Sequence, residues 1–159
     1  MMLTIGAMLL LSTLMLRVNT NNLTTDSIRA EAQYGVLATS IITSIMEEAK
    51  SLAFDESTTA NSITNLDDLT SASKLGPESG ETFDTFNDFD DFDGYTRVDS
   101  TMPSAIFNIG CTIDYVNSSN LLGTSSLSTW HKRITVTVSS DYMTDTLTQS
   151  NIYSYWYFR

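Results

Sequence analysis

The chain is short of positive charge. Its 159 residues hold only 8 Lys and Arg against 19 Asp and Glu, which gives a formal net charge of -11. A surface this acidic repels phosphate backbones, so no nucleic-acid partner is expected. The same surface attracts cations, and a hard divalent ion such as calcium is compatible with it.

Cysteine and histidine are each represented once, by Cys111 and His131. A single cysteine forms no intrachain disulfide, and its neighbours Ile109 and Ile113 predict a small buried side chain. Any Ser-His-Asp arrangement or histidine metal site would have to be built around His131, which is expected to be exposed and structural. The sequence also lacks a glycine-rich phosphate loop and a dinucleotide fingerprint. We therefore expect a protein that is not an enzyme.

What the chain has instead is an amino-terminal run without charge, residues 1–16, which ends at Arg17. A helix of this length spans about 24 Å. This is a little short of the bilayer core, which is about 30 Å thick and needs roughly 20 helical residues to cross. A basic flank and a small-residue cleavage site are both missing, so we expect the start of a mature chain. The side chains predicted to form this assembly or membrane segment include Met1, Leu3, Ile5, Leu9, Leu10, Leu14 and Leu16.

A second helical pattern covers residues 27–54, where apolar or small side chains recur at spacings of three and four. These side chains are Ile28, Ala32, Gly35, Ala38, Ile42, Ile45, Ala49 and Leu52. Residues 19–25, between the two stretches, are rich in Asn and Thr, which are poor helix formers. The sequence therefore predicts an N-terminal helical region over 1–54 and leaves open whether it breaks at 19–25.

Residues 55–104 are predicted to be a polar connecting region that contains an acidic loop. Aromatic residues and carboxylates alternate over 83–95, and four aspartates are crowded together there, Asp88, Asp90, Asp91 and Asp93. Crowded carboxylates suit a hard cation, which makes these four residues candidate calcium ligands. The loop does not have EF-hand spacing, so the alternative is a solvated turn held on the core by its phenylalanines. No other cofactor is predicted.

Residues 105–159 are predicted to form an antiparallel sheet of three strands, at 105–116, 130–140 and 144–158. The first two strands alternate apolar and polar side chains, which indicates one buried face. The side chains expected on that face are Phe107, Ile109, Cys111, Ile113, Tyr115, Ile134, Val136 and Val138. Packed on residues 27–54, this sheet would form the globular domain.

An uncharged amino terminus that runs into a long amphipathic helix and then a small β-rich domain resembles type IV pilins and related pilin-like subunits. The segment Asp-Asp-Phe-Asp-Gly-Tyr at 90–95 is also similar to a loop in many pilin-like proteins. The resemblance implies an α+β fold, with a long hydrophobic N-terminal helix packed on a small antiparallel sheet. In that family a leader is removed after a glycine and the new terminus, here Met1, is often methylated. The family's glutamate at the fifth mature position is Ile5 in this chain.

The same resemblance implies a structural subunit that polymerises through its N-terminal helix into an extracellular filament on the cell surface. Its expected partners are copies of itself, the pilus assembly machinery, and the inner membrane that would hold residues 1–16 before assembly. Two alternatives stay open. One is a minor pilin or pseudopilin of a secretion or DNA-uptake machine, and the other is a membrane-anchored extracellular binding protein.

Overall fold

A computed structural model describes residues 2–102 and 105–158, and the side chains of residues 4–102 and 105–156. One long helix leads into a four-stranded antiparallel sheet. The helix α1 spans Met2–Ser51, and the strands are β1 Thr96–Asp99, β2 Phe107–Tyr115, β3 His131–Ser139 and β4 Leu147–Ser154. The predicted α+β class, a long N-terminal helix with a small antiparallel sheet, is confirmed.

Helix α1 is continuous through residues 19–25, where the sequence had left a break open. The threonine hydroxyls of this stretch donate hydrogen bonds to carbonyl groups one turn earlier, as Thr20 does to Leu16 at 2.6 Å. These hydroxyls are therefore satisfied within the helix and do not draw the backbone into another conformation here. The helix ends at Ser51, before the predicted end at 54, because the backbone of Ala53 pairs with that of Asp88 instead.

The sheet is a meander in the order β1-β2-β3-β4, and each neighbouring pair is antiparallel. Strands β2 and β3 pair from Asn108 opposite Ser139 to Tyr115 opposite Lys132. As predicted, the alternating apolar side chains of both strands are buried, and they are Phe107, Ile109, Cys111, Ile113, Tyr115, Ile134, Val136 and Val138. Period-two alternation therefore located this face of the sheet correctly.

The sheet differs from the sequence prediction at both edges. It has a fourth strand, β1, from the region predicted to be a connection, and the one large apolar side chain there, Val98, is 64% exposed. A short edge strand without an apolar face gives no periodic signal, which is why it was missed. The last strand, β4, stops at Ser154, and the aromatic residues that follow enter a short 3-10 helix. His131 is partly buried, with Nδ1 2.7 Å from the Ser154 hydroxyl, so its predicted exposure was wrong.

The main core lies between the second half of α1 and the sheet. The helix contributes the fully or nearly fully buried side chains Ala38, Ile42, Ile45, Met46 and Ala49. At its N-terminal end the predicted stripe is not covered, because Ile28 is 62% exposed and Ala32 is exposed as well. The acidic loop adds Phe89 and Phe92, both fully buried, so the region 55–104 supplies part of the core.

The lone thiol is expected to be unreactive in the folded protein. Cys111 is 3% exposed on β2, and burial raises the pKa of its thiol to about 12. Because the thiolate is the reactive form, a disulfide reagent such as Ellman's should label the native protein slowly at pH 8 and label it fully in urea. Rapid stoichiometric labelling without denaturant would contradict this placement of β2.

Candidate functional site

The first half of α1 extends beyond the sheet, and every described side chain from position 4 to position 29 is exposed. Large apolar side chains are prominent among them, such as Leu10 at 70% and Leu14 at 65% exposed. The other predicted assembly residues with described side chains, Ile5, Leu9 and Leu16, are exposed as well. Met1 and the side chain of Leu3 lie outside the described residues.

These apolar side chains do not form a narrow stripe. Leu9, Leu10 and Leu11 are consecutive and all exposed, and successive residues lie about 100° apart around a helix. The hydroxyls of Ser12 and Thr13 donate to the carbonyl groups of Met8 and Leu10, so they need no partner outside the helix. Monomeric proteins rarely expose large apolar side chains together in this way, and such patches are typical of surfaces that contact another protein or a membrane.

Two further facts bear on how this surface is used. Among the residues whose positions are described, no helix combines the length and the apolar character needed to cross a membrane. A shallow groove runs along the middle of α1 beside β4, and its lining includes Ala32, Gly35, Thr39, Ser44 and Leu147. Small side chains of this kind permit another helix to approach closely.

At the far end of α1 the structure contains a buried ion-pair network that the sequence analysis missed. Lys132 on β3 is fully buried. Its Nζ donates to the Phe54 carbonyl oxygen at 2.8 Å, to Asp55 Oδ2 at 2.8 Å and to Asp90 Oδ1 at 2.6 Å. All three ammonium hydrogens are therefore used. The Phe54 and Tyr115 rings lie 4.6 Å and 5.2 Å from the amine, close enough to stabilise its charge further.

Asp55 is the better satisfied of the two carboxylates that contact Lys132. It follows the end of α1, caps the 3-10 helix Glu56–Thr58 and accepts hydrogen bonds from Ser57, Thr70 and Tyr115. Burial alone would raise the pKa of Asp55. The charge and hydrogen bond of Lys132, together with those of Ser57 and Thr70, outweigh burial and hold this pKa below its usual value.

The four aspartates of the acidic loop do not converge on one point, as the calcium interpretation of the sequence required. Asp90 is paired with Lys132, and Asp93 Oδ1 accepts the backbone N–H of Ile113 at 2.8 Å. The solvated turn was also a wrong expectation, because Asp88, Asp90 and Asp91 are each only 1% exposed. The loop is instead folded into the protein, with its phenylalanines in the core as that alternative proposed.

Asp88 and Asp91 stabilise the loop through its own backbone. Asp88 Oδ1 accepts the N–H groups of Asp90 and Asp91, and Asp91 Oδ2 accepts those of Asn87 and Asp88. The second oxygen of each carboxylate, Asp88 Oδ2 and Asp91 Oδ1, is buried and has no hydrogen-bond partner among the described residues. Burial, reinforced by the neighbouring charges of Asp90 and Asp91, raises the pKa of Asp88 to about 9.

Glutamates from an earlier part of the chain complete this acidic cluster. Carboxylate oxygens of Glu78, Glu81 and Asp91 lie within 4.8 Å of one another, and so do those of Glu56, Glu78 and Asp88. Sequence reasoning missed all three glutamates, because they lie in the region predicted to be a polar connection. The sequence signal that could have located Glu78 is the pair of glycines on either side of it, because glycines are typical of turns. In the structure these residues, Gly76 and Gly80, have positive φ values of 115° and 97°.

In comparisons with known proteins, no family model, curated protein or solved structure matches the chain. The arrangement of one long N-terminal helix packed on a small antiparallel sheet is compatible with a pilin-like fold. The function has to be argued from the exposed helical segment itself.

Proposed function

We propose that the protein is a structural subunit that polymerises through the N-terminal part of α1 into an extracellular filament of the type IV pilus kind. The observation that supports this most strongly is the exposure of every described side chain over residues 4–29. Burying one leucine contributes about 1.5–3 kcal/mol. Contacts among like helices that cover Leu9, Leu10 and Leu14 would therefore favour assembly over the isolated subunit.

The placement of the segment at one end of the molecule favours an open polymer. A contact between this segment of one copy and the middle of α1 in the next joins different surfaces, and such a contact builds a helical fibre when it repeats without closing into a ring. The groove lined by Gly35, Thr39 and Leu147 is the surface on α1 that we assign to this contact. Gly6 and Ala7, near the other end, would permit close approach between the N-terminal segments.

In this arrangement the acidic sheet domain covers the outside of the fibre. The net charge of -11 per subunit keeps fibres soluble and apart from one another. Before assembly, the N-terminal segment would associate with the inner membrane and with the assembly machinery that extracts it. A minor pilin or pseudopilin would use the same segment in a short assembly, and an anchored monomer would use it for attachment alone.

Electron microscopy of material sheared from the producing cells tests the proposal, combined with mass spectrometry of the subunit's amino terminus. We expect thin fibres built of this chain as the main subunit, and the mass spectrum gives the residue at which the subunit in the fibres begins. Traces of the chain in fibres made of another protein would favour the minor pilin. Recovery of the protein only as a detergent-extracted monomer would contradict polymerisation.

A further inference from the structure

The acidic cluster at the end of α1 contains more carboxyl groups than the described basic side chains pair with. Its five carboxylates are Glu56, Glu78, Glu81, Asp88 and Asp91, arranged as two overlapping groups that share Glu78. The ion pairs of the described residues give none of the five a basic partner, because Lys132 pairs with Asp55 and Asp90. Burying a charged carboxylate without a cation or hydrogen-bond donor beside it costs free energy.

Two atoms indicate that a ligand completes this cluster. Asp88 Oδ2 and Asp91 Oδ1 are buried without a hydrogen-bond partner, in residues that are each 1% exposed. The other oxygen of each carboxylate accepts two backbone N–H groups, which fixes the orientation of both side chains. The unpartnered oxygens are therefore held in place, and they belong to the two aspartates whose carboxylates lie near the glutamates.

We propose that this cluster is a calcium site in which Glu78, Asp88 and Asp91 are the central ligands. Glu56 belongs to the group of Glu78 and Asp88, and Glu81 to the group of Glu78 and Asp91, so these two glutamates extend the oxygen set. The site is independent of the filament proposal. It differs from the four-aspartate site that the sequence predicted, because Asp90 and Asp93 are replaced by glutamates from an earlier loop.

The chemistry of the ligands selects calcium. Every ligand is a carboxylate oxygen, and the single histidine and single cysteine of the chain lie on strands β3 and β2. Oxygens on opposite sides of a calcium ion are about 4.8 Å apart, since each bond is roughly 2.4 Å long. Within each group the three oxygens lie no more than 4.8 Å from one another, which is close enough for one calcium ion to contact all three. Magnesium binds at about 2.0–2.1 Å in a near-ideal octahedron and usually keeps several waters, which suits this loop-borne set less well.

A bound ion would connect two loops that are distant in sequence. Glu78 and Glu81 lie in the turn around Gly80, where the Glu81 N–H donates to the Glu78 carbonyl oxygen at 3.0 Å. Asp88 pairs through its backbone with Ala53, directly after the end of α1. Calcium would therefore hold this turn against the end of the helix, and its removal would loosen both.

Calorimetry and thermal unfolding on the full chain in non-ionic detergent, freed of metal with EDTA, test the proposal. We expect calcium chloride to give a saturable heat of binding and to raise the Tm by several degrees. Magnesium chloride and sodium chloride, at matched ionic strength, should raise the Tm much less. An equal response to magnesium, or no heat and no shift with calcium, would overturn the proposal and leave shared protons to hold the carboxylates together.

A matched pair of variants locates the ion. Glu78→Gln removes one charge from the residue common to both groups, and because Glu78 is exposed the variant should fold normally. We expect at least about a tenfold loss of calcium affinity, as for the loss of a metal-site residue. The control Asp84→Asn removes an exposed charge outside the cluster and should bind calcium as the wild type does. Equal calcium affinity in the two variants would overturn the assignment.

Discussion

Replacing Lys132 by methionine is expected to lower the free energy of unfolding by about 3–5 kcal/mol, the usual cost of breaking a buried ion pair from one side. Methionine fills much of the lysine stem's volume, so the loss comes from the amine. Without it, the side chains of Asp55 and Asp90, only 0% and 2% exposed, lose their counter-ion. The Phe54 carbonyl also loses its donor. Urea unfolding followed by circular dichroism measures the change.

The control is the same substitution at an exposed lysine. Lys74→Met should change stability by no more than about 0.5 kcal/mol, as for most surface substitutions. A second variant isolates the charge, because adding Asp55→Asn and Asp90→Asn to Lys132→Met removes the unpaired carboxylates. That triple variant should be more stable than Lys132→Met alone. If Lys132→Met and Lys74→Met unfold at the same urea concentration, the network does not stabilise the fold.

Lys132 also shows which part of the buried ion-pair network could be predicted from the sequence and which part could not. The alternation of β3, with Ile134, Val136 and Val138 buried, places position 132 on the same inward face. Its burial was therefore predictable from the pattern. Its partners were not, because Asp55 and Asp90 are 77 and 42 residues away along the chain. Only the packing of α1, the acidic loop and the sheet brings these groups together.

In the acidic loop, the sequence indicated the chemical character of the residues but not their arrangement. Its composition correctly indicated an unusual concentration of charge, but local spacing suggested that all four aspartates face one ion. In the structure, a backbone N–H group or Lys132 occupies one oxygen of each aspartate. Hydrogen bonds to the backbone of a short loop depend on its exact turns, which periodicity does not report.

The exposure of the first half of α1 follows from the difference in length between the helix and the strands of the sheet. Strand β3 has nine residues and spans about 30 Å, and a helix covers the same distance with about 20 residues. A sheet of this size can therefore cover less than half of a helix of 50 residues. The apolar periodicity at Ile28 and Ala32 continues past that limit, which is why the sequence placed them in a core that does not reach them. Side chains beyond the sheet can be buried only by something other than this chain's own sheet.

In the proposed filament, that something is another copy, so Leu10→Glu is expected to abolish fibre formation while the subunit stays folded. Leu10 is 70% exposed, and an added carboxylate there should leave the Tm unchanged. Between packed helices the same carboxylate would be buried without a partner, and the leucine's own burial, about 1.5–3 kcal/mol, would also be lost. We expect at least a tenfold drop in fibre yield, since about 1.4 kcal/mol already corresponds to a factor of ten. Electron microscopy of the sheared fraction and thermal unfolding of the subunit give the two measurements.

Leu122→Glu provides the matched control, because it makes the same chemical change at a leucine that is 93% exposed on the sheet domain. With both variants present in cells at the wild-type level, Leu122→Glu should form fibres and Leu10→Glu should not. Leu10→Met keeps an apolar side chain of similar volume and should also assemble. Normal fibres from Leu10→Glu would contradict assembly through α1. Equal loss in both glutamate variants would mean that added charge anywhere on the subunit prevents polymerisation, and the exposed leucines would then need a different partner.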